Sequence, residues 1–238
     1  MRSLFALALT ALLLLLPSVS QSNDILNQNI YDATAALVVK QADNDSAFSP
    51  KFRHEPYVTT RPLCTASVYR RIENGYRMVT AAHCFRTQPL APRYVRFEGE
   101  DPLPIQVVAI GDLTKGVDVA IFDVTTDRLH PVLALGTETT LTVGEKVVMA
   151  SYPDGLEKQL AIGHVSRVKN DEPIYLDANF AWYRYFRIYI DSVGGCSGSP
   201  VVSTEQGAIV GVLVGGTHYG SWNSVIVVPI SYLYELEK

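Results

Sequence analysis

The stretch "SVGGCSGSP", Ser192 to Pro200, contains, besides its first serine, three side chains that could act as nucleophiles. Cys196, Ser197 and Ser199 lie there among three glycines and a proline, and such a turn can expose a hydroxyl and aim backbone N–H groups at one point. A serine hydroxyl is a poor nucleophile at neutral pH, so it needs a base, and the base needs an acid that holds its tautomer. The chemistry therefore depends on a histidine and an aspartate elsewhere in the chain.

Two other segments offer these partners. His83 lies in "VTAAHC" at the end of an apolar run, and Asp118 lies in "GVDVAIFDV" at the start of another. The order along the chain is histidine, aspartate, serine. The other histidines have no such context and are expected to be surface or hydrogen-bonded residues, although one of them follows the apolar run "VLVGG": His54, His130, His164 and His218.

The elements around these residues are typical of an antiparallel β protein. Short β-branched and aromatic runs alternate with Gly, Pro, Asn and Asp, with about six runs in each half of the chain. Asn74-Gly75 predicts a tight hairpin, and Ser231 predicts the N-cap of a short C-terminal helix. The segment "NDEPIYLDANFAWYR" is expected to include an exposed loop without defined bounds, and "FAWYRYFRIYID" is one of the predicted strand runs. The length suits one large all-β domain or two small ones, with a seam between residues 130 and 145.

The N-terminus has the pattern of a secretory signal peptide. Arg2 precedes an apolar run from Leu4 to Leu16, and Pro17 and small residues follow, which predicts cleavage after Ser20. The run is shorter than the about 20 residues of a membrane span. We therefore expect a secreted or periplasmic protein that does not associate with a membrane. Its formal net charge of −4 gives no electrostatic attraction for nucleic acid.

The three segments together resemble the trypsin-like (chymotrypsin-fold) serine peptidases. That family has the signatures "TAAHC", "D-[IV]-A" and "G-x-SG-x-P", and this chain has "TAAHC", "DVA" and "GCSGSP" in the same order. "VGEKVVMASYPDGLE", "IGHVSRV" and "GSPVVSTEQGAIVGVLVGG" resemble its bacterial branch, with the glutamyl endopeptidases and HtrA-type proteases. The resemblance extends from about Ala33 to Ile230.

The resemblance implies an all-β fold of two six-stranded antiparallel Greek-key β-barrels, residues 21–132 and 133–238, with the active site in the cleft between them. It implies an endopeptidase in which Ser197 is the nucleophile, His83 the general base and Asp118 the acid that orients it. The backbone N–H groups of Gly195 and Ser197 are the implied oxyanion hole. A cysteine peptidase of this fold would need a thiol at position 197.

The resemblance also implies roles for residues of the substrate site. Val214, Gly215 and Gly216 match the strand that binds the substrate backbone, and Asp191 lies six residues before Ser197, where trypsins place the acid that binds Arg or Lys. Bacterial relatives often carry an Asp near this offset without that preference, so the specificity stays open. The histidine that glutamyl endopeptidases use in this strand is absent.

The three cysteines allow at most one disulfide, and the resemblance implies that Cys64 pairs with Cys84 and leaves Cys196 free. Animal trypsins have an Asp where Cys196 stands, and it pairs with a newly cut N-terminus. Because Cys196 cannot form that pair and "YDATAALVVK" has no matching activation site, we expect activity without this mechanism. Trimming between Gln21 and about Ala33 stays open.

A rival hypothesis is a catalytically silent, protease-like binding module, but the presence of all three triad residues favours the enzyme. An HtrA-like quality-control protease is disfavoured because the chain ends too soon for a C-terminal peptide-binding domain. No cofactor or metal is expected, because no His/Cys cluster has zinc-type spacing. The expected partners of this monomer are polypeptide substrates and a protein inhibitor.

Overall fold

The computed structural model describes residues 19–41, 59–86, 94–169, 172–177, 180–219 and 222–238. Within these ranges the chain has one helix near each end, α1 (Val19–Asp32) and α2 (Ser231–Leu236), and neither is long and apolar enough to cross a membrane. Residues 1–18 of the predicted signal peptide and His54 lie outside the described ranges. The strands are, in chain order, β1 (Thr34–Gln41), β2 (Thr59–Ile72), β3 (Gly75–Thr80), β4 (Tyr94–Arg96), β5 (Leu103–Ile110), β6 (Ala120–Thr125), β7 (Ala134–Leu135), β8 (Lys146–Ser151), β9 (Gln159–Arg167), β10 (Ile174–Asp177), β11 (Phe180–Trp182), β12 (Phe186–Tyr189), β13 (Pro200–Ser203), β14 (Ala208–Tyr219) and β15 (Trp222–Pro229).

The first six strands form a closed antiparallel barrel in the order β1-β2-β3-β6-β5-β4. The predicted hairpin is confirmed, because Ile72 of β2 pairs with Gly75 of β3. A Cβ at position 75 would clash with the backbone carbonyl of Val124, so glycine is required where β3 runs beside β6. Tyr76 and Phe122 are fully buried inside this barrel. Their packing fixes β3, and the chain segment of His83 follows directly from its end.

The second barrel has six strands in the order β13-β8-β9-β12-β15-β14, and it closes where β13 pairs with β14. Short β7 adds to β14 in parallel. Its interior is apolar, since Val147, Met149, Ile188, Val201 and Val227 are fully buried and belong to one cluster. The two predicted six-stranded barrels are therefore confirmed.

Helix α1 differs from the sequence-based expectation, which included no helix at this end. Ile30 is fully buried in the core. The carbonyl groups at the C-terminal end of α1 have donors, because Lys158 Nζ donates to the carbonyl of Tyr31 at 2.8 Å and the Thr34 hydroxyl donates to that of Ile30 at 2.7 Å. A cation at this end also suits the helix dipole. These contacts join α1 to the loop that follows β8.

The predicted C-terminal helix is present, but Ser231 is not its N-cap. Ile230 occupies that position, and Ser231 is the first helical residue. The Ser231 hydroxyl donates to Glu138 at 2.6 Å and accepts from Arg184 at 2.7 Å, so it is engaged in tertiary contacts instead of capping the helix. Tyr232 is buried, so α2 covers part of the core.

The segment expected to include an exposed loop, "NDEPIYLDANFAWYR", contains the hairpin of β10 and β11, and Glu172 and Tyr175 in it are exposed. Ile174 of β10 pairs with Trp182 of β11. All three residues of β11 are buried: Phe180, Ala181 and Trp182. The residues "FAW" belong to a run that the sequence predicted as a strand, and they pack onto the rest of the molecule.

The connection between the barrels contains His130, whose ring is buried. The ring stacks on Phe97 with a centroid distance of 3.6 Å, and its Nε2 lies 3.6 Å from Glu100. Burial lowers the pKa of His130, and Arg128 also lowers it, whereas Glu100 raises it and only partly opposes the burial. The unfolded chain therefore binds the proton more readily than the native state does.

We expect the free energy of unfolding to fall as the pH drops below about 6.5, the ordinary pKa of histidine, and to be fully retained above it. Urea unfolding at about pH 7.5 and about pH 5.5 measures this loss. The variant His130→Phe keeps an aromatic ring without the titrating nitrogen, so the loss between the two pH values should be smaller than in the wild type. An equal loss in both proteins would contradict this account of His130.

Candidate active site

His83 is held at the end of β3 by a short 3-10 turn, Ala82–Phe85. The next residue, Cys84, forms the predicted disulfide with Cys64 of β2, and the two positions are 20 residues apart in sequence. Closing a loop of this length stabilises a protein by about 3 kcal/mol in the chain-entropy model. The imidazole of His83 is 23% exposed. The ring is therefore anchored at its backbone and still accessible to a substrate.

Asp118 is fully buried just before β6 and accepts three hydrogen bonds. Its Oδ1 accepts the backbone N–H of His83 at 2.8 Å. Its Oδ2 lies 2.8 Å from Nδ1 of the same imidazole and also accepts the indole N–H of Trp182 at 3.0 Å. A buried carboxylate with this number of donors is compensated for the loss of water. The structure thus brings the predicted histidine and aspartate together.

Thr65 of β2 fastens the turn that carries Ser197 to the first barrel. The Thr65 backbone N–H donates to the carbonyl of Ser197 at 2.8 Å, and its hydroxyl donates to the carbonyl of Gly195 at 2.9 Å. The same hydroxyl accepts the N–H of Tyr152 at 3.1 Å. Thr65 follows Cys64, whose disulfide partner Cys84 follows His83, so a short path of bonds joins the serine turn to the histidine.

Two glycines of this turn have left-handed backbone conformations that other residues rarely adopt. Gly195 has φ of 89° and Gly198 has φ of 88°. A Cβ on Gly195 would clash with the carbonyl of Tyr152, and a Cβ on Gly198 would clash with the carbonyl of Thr65. Glycine is therefore required on both sides of Ser197 for the turn to fit against its supports.

The N–H groups of the turn differ in their partners. Those of Cys196, Gly198 and Ser199 donate to backbone carbonyls at 2.7 to 3.2 Å. Within the part of the chain that the structure describes, the N–H groups of Gly195 and Ser197 have no acceptor. These are the two donors that the sequence analysis assigned to an oxyanion hole, and they are available to a ligand.

The three candidate nucleophiles of the turn lie in different environments. Ser197 is partly exposed, and within the described residues its hydroxyl makes no hydrogen bond, so it is free to bind a substrate. Cys196 is 1% exposed and its thiol donates to the Ser151 hydroxyl at 3.4 Å. Ser199 is fully buried. Only Ser197 is accessible to a substrate.

The predicted substrate residues lie on two surfaces. Val214 is buried, Gly215 is partly exposed and Gly216 is exposed on β14. Beyond residue 213 β14 pairs with β15 on one side, and within the described residues no strand pairs with its other side. Asp191 is exposed and lines a cavity of about 390 Å³ formed with β8, β9 and Cys196, and the three β14 residues are not part of that lining.

The sulfur atoms of Cys64 and Cys84 lie near the imidazole of His83, within 4.8 Å of its nearest ligand atom. Both sulfurs are joined in the disulfide, so they are not thiolates that could bind a metal ion. This group is therefore explained as a structural anchor for the His83 turn.

Two residues that support the site, Thr65 and Trp182, were not predicted from the sequence. A buried hydroxyl next to the predicted disulfide Cys64 was the only available sign for Thr65, and it has no pattern of its own. Trp182 lies in the run "FAWYRYFRIYID", which is predicted as a strand, but nothing in that run indicates a contact with Asp118. Each acts through a contact between residues far apart in sequence, which periodicity does not reveal.

Comparison with known proteins places the chain in one family. The family described as "Trypsin-like peptidase domain" matches residues 64–212, more than half of the chain. Among curated protein sequences no match is found.

Solved structures support the same fold at low sequence identity. The active form of the Rv3671c protease from M. tuberculosis has a TM-score of 0.65 at 20% identity, with 92% of this chain and 86% of that chain covered. The HtrA-type protease AlgW, solved with a decapeptide, has a TM-score of 0.66 at 16% identity, with 89% of this chain and 66% of that chain covered. Both comparisons establish the two-barrel fold.

Proposed function

The chain belongs to the family of trypsin-like peptidase domains and is a serine endopeptidase, and we propose that it cleaves peptide bonds through an acyl-enzyme at Ser197. The observation that carries this assignment is the His83–Asp118 pair, joined at 2.8 Å, beside a turn on which Ser197 alone offers an accessible nucleophile. The buried carboxylate holds the imidazole in the tautomer whose other nitrogen can take a proton.

In the proposed first step, Ser197 Oγ attacks the scissile carbonyl while His83 Nε2 removes the hydroxyl proton. The imidazolium then gives this proton to the leaving amine, and the C–N bond breaks. Asp118 stabilises the imidazolium without taking its proton. Water attacks the acyl-enzyme in the second step, with His83 again as base and then as acid, and the freed Ser197 starts another cycle.

The backbone N–H groups of Gly195 and Ser197 are the proposed oxyanion hole. A donor aimed at the developing negative charge is worth about 3 to 4 kcal/mol in related sites. Thr65 supports this arrangement, because its hydroxyl binds the Gly195 carbonyl at 2.9 Å. On the other side of the turn, the Asp154 N–H donates to the Gly194 carbonyl at 2.5 Å. The donors are therefore held by the folded chain itself.

The hydrogen bonds that hold the Ser197 turn bear on whether the enzyme needs cleavage to become active. Position 196 has no carboxylate with which to hold a new N-terminal ammonium, and the turn has its own supports at Thr65 and Asp154. We therefore propose that activity needs no trypsinogen-like cleavage. Ile30 and Ala33 are fully buried, so trimming as far as Ala33 would remove part of the core.

A polypeptide substrate would bind as an added strand along the open side of β14, at Val214, Gly215 and Gly216. Two glycines there let the backbones approach closely. Asp191 lines a cavity whose lining does not include these three residues, which weakens its assignment to an Arg or Lys site. Cleavage-site profiling with a peptide library decides this point: cleavage after Arg or Lys that is lost in Asp191→Asn would restore the assignment.

We propose a secreted or periplasmic location for the mature protein. The signal-peptide pattern of residues 1–20 supports it, and so does the Cys64–Cys84 disulfide, because such bonds persist mainly in oxidising compartments. N-terminal sequencing of the exported protein should begin at Gln21.

The pH profile of hydrolysis tests the proposed role of His83. Only the neutral imidazole can accept the Ser197 proton, so kcat/KM should rise with pH through the range of about 5 to 8. Hydrolysis of a peptide selected from the library, followed across this range, measures it. A rate that does not change with pH would contradict His83 as the base, and a folded protein without any hydrolysis would favour the binding-module hypothesis.

A further inference from the structure

We propose that Trp182 is a positioning residue of this active site. Its indole N–H fixes the carboxylate of Asp118, and its ring connects that carboxylate to the strand on which the substrate binds. This inference rests on the proposed function, and it assigns a role in the triad to the hairpin of β10 and β11.

Hydrogen bonds at Asp118 tie its carboxylate to both His83 and Trp182. Oδ2 of Asp118 faces Nδ1 of His83 at 2.8 Å and the indole N–H of Trp182 at 3.0 Å, so one oxygen serves both rings. Asp118 is fully buried and Trp182 is 3% exposed. Water therefore has no access to replace the indole donor, and the direction of Oδ2 depends on Trp182.

The indole ring of Trp182 also contacts β14. A Cβ built on Gly215 would lie 2.6 Å from Cη2 of Trp182. The rim of the indole ring thus lies against the backbone of Gly215, in the proposed substrate strand. A change in the path of this strand would press on the same ring that holds Asp118.

The hairpin has little freedom to move away. A Cβ on Gly116, two residues before Asp118, would lie 2.8 Å from the carbonyl oxygen of Ala181, so β11 runs directly over the approach to Asp118. Phe180 packs edge-on against Trp182 at 5.4 Å and lies 6.4 Å from the ring of His83. The hairpin therefore supports both the acid and the base of the triad.

Trp182→Phe removes the indole N–H and keeps an aromatic ring. We expect kcat to fall about tenfold or more, since Oδ2 of Asp118 loses the donor that sets its direction toward His83. The carboxylate without its neutral donor should hold the imidazolium more tightly, so the acid limb of the kcat/KM profile should move to higher pH. If Trp182 only stabilised the fold, the acid limb of the kcat/KM profile of Trp182→Phe would lie at the same pH as in the wild type.

Tyr185→Phe is the matched control. Tyr185 is a buried aromatic residue of the same segment, and its hydroxyl donates to the carbonyl of Glu172 at 3.0 Å, away from Asp118. The Tyr185→Phe variant should lose some stability and keep the wild-type kcat and pH profile. If Trp182→Phe matches Tyr185→Phe in both properties while the wild type is active, the inference is wrong. An inactive wild type would instead refute the proposed function.

A second measurement does not depend on activity or on the folding of Trp182→Phe. The chain has two tryptophans, so Trp222→Phe leaves a single indole N–H signal in a ¹⁵N-labelled sample, that of Trp182. Adding Asp118→Asn should move this signal and speed its exchange with water. Adding Gly215→Ala should also move it, whereas Gly216→Ala should not, because the nearest atom to a Cβ at 216 is 3.9 Å away. An indole signal that stays in place in the Asp118→Asn protein would overturn the inference.

Discussion

Replacing Ser197 by alanine is expected to lower kcat by about 10⁶-fold and to leave the thermal unfolding midpoint almost unchanged. Loss of the nucleophile removes the acyl-enzyme route entirely, and only the oxyanion hole and substrate binding then contribute to catalysis. Ser197 is partly exposed and its side chain has no partner within the described residues, so alanine breaks no contact of the fold. Peptide hydrolysis and calorimetry of the purified variant measure the two effects.

Ser199→Ala is the control for this experiment. Ser199 is two residues further along the same turn, fully buried, and its Oγ has no hydrogen-bond partner within the described residues. Removing this hydroxyl should leave kcat close to that of the wild type. Activity that survives in Ser197→Ala and disappears in Ser199→Ala would transfer the nucleophile to the other serine and contradict the assignment.

The second large effect is expected for Asp118→Asn, which should lower kcat by about 10⁴-fold, as in other triads of this type. An amide can present its NH₂ group to Nδ1 of His83, and this favours the tautomer whose Nε2 carries a proton and cannot act as a base. The shape of the side chain is kept, so the fold should remain. Single-turnover kinetics at a pH above neutrality gives the size of the loss.

Asp123→Asn separates loss of the triad acid from a general loss of charge. Asp123 lies on β6 five residues after Asp118 and pairs with Arg77 at 2.8 Å, on the barrel and outside the site. Its replacement should cost some stability and little activity, since a partly exposed ion pair contributes little. Similar losses of kcat in the two variants would contradict the role given to Asp118.

The sequence predicted those parts of the site that are carried by contiguous residues. "TAAHC" places a histidine beside a bridging cysteine, and the turn around Ser197 needs glycine at 195 and 198 because of their positive φ angles. Such requirements are local, so they leave a pattern in the sequence. The alternation of β-branched runs and turn residues likewise predicted an antiparallel β protein, and the resemblance to the trypsin-like peptidases implied the two barrels.

Supports that come from distant residues were not predictable in this way. Thr65 reaches Gly195 across 130 positions of the chain, and Trp182 reaches Asp118 across 64. Neither residue type is unusual for its strand, and the contact exists only once both barrels are folded. Helix α1 was not predicted for a similar reason. The burial of Ile30 and the hydrogen bond from Lys158 to the Tyr31 carbonyl stabilise it through tertiary contacts.

Labelling with a serine-directed phosphonofluoridate, followed by mass spectrometry of the digested protein, tests the central claim most directly. The reagent reacts with a serine whose hydroxyl is activated by a base next to an oxyanion hole, so we predict one adduct per chain, on Ser197, and none in Ser197→Ala. Asp118→Asn should react far more slowly. A folded wild-type protein that stays unlabelled, or one labelled at another residue, would contradict the account.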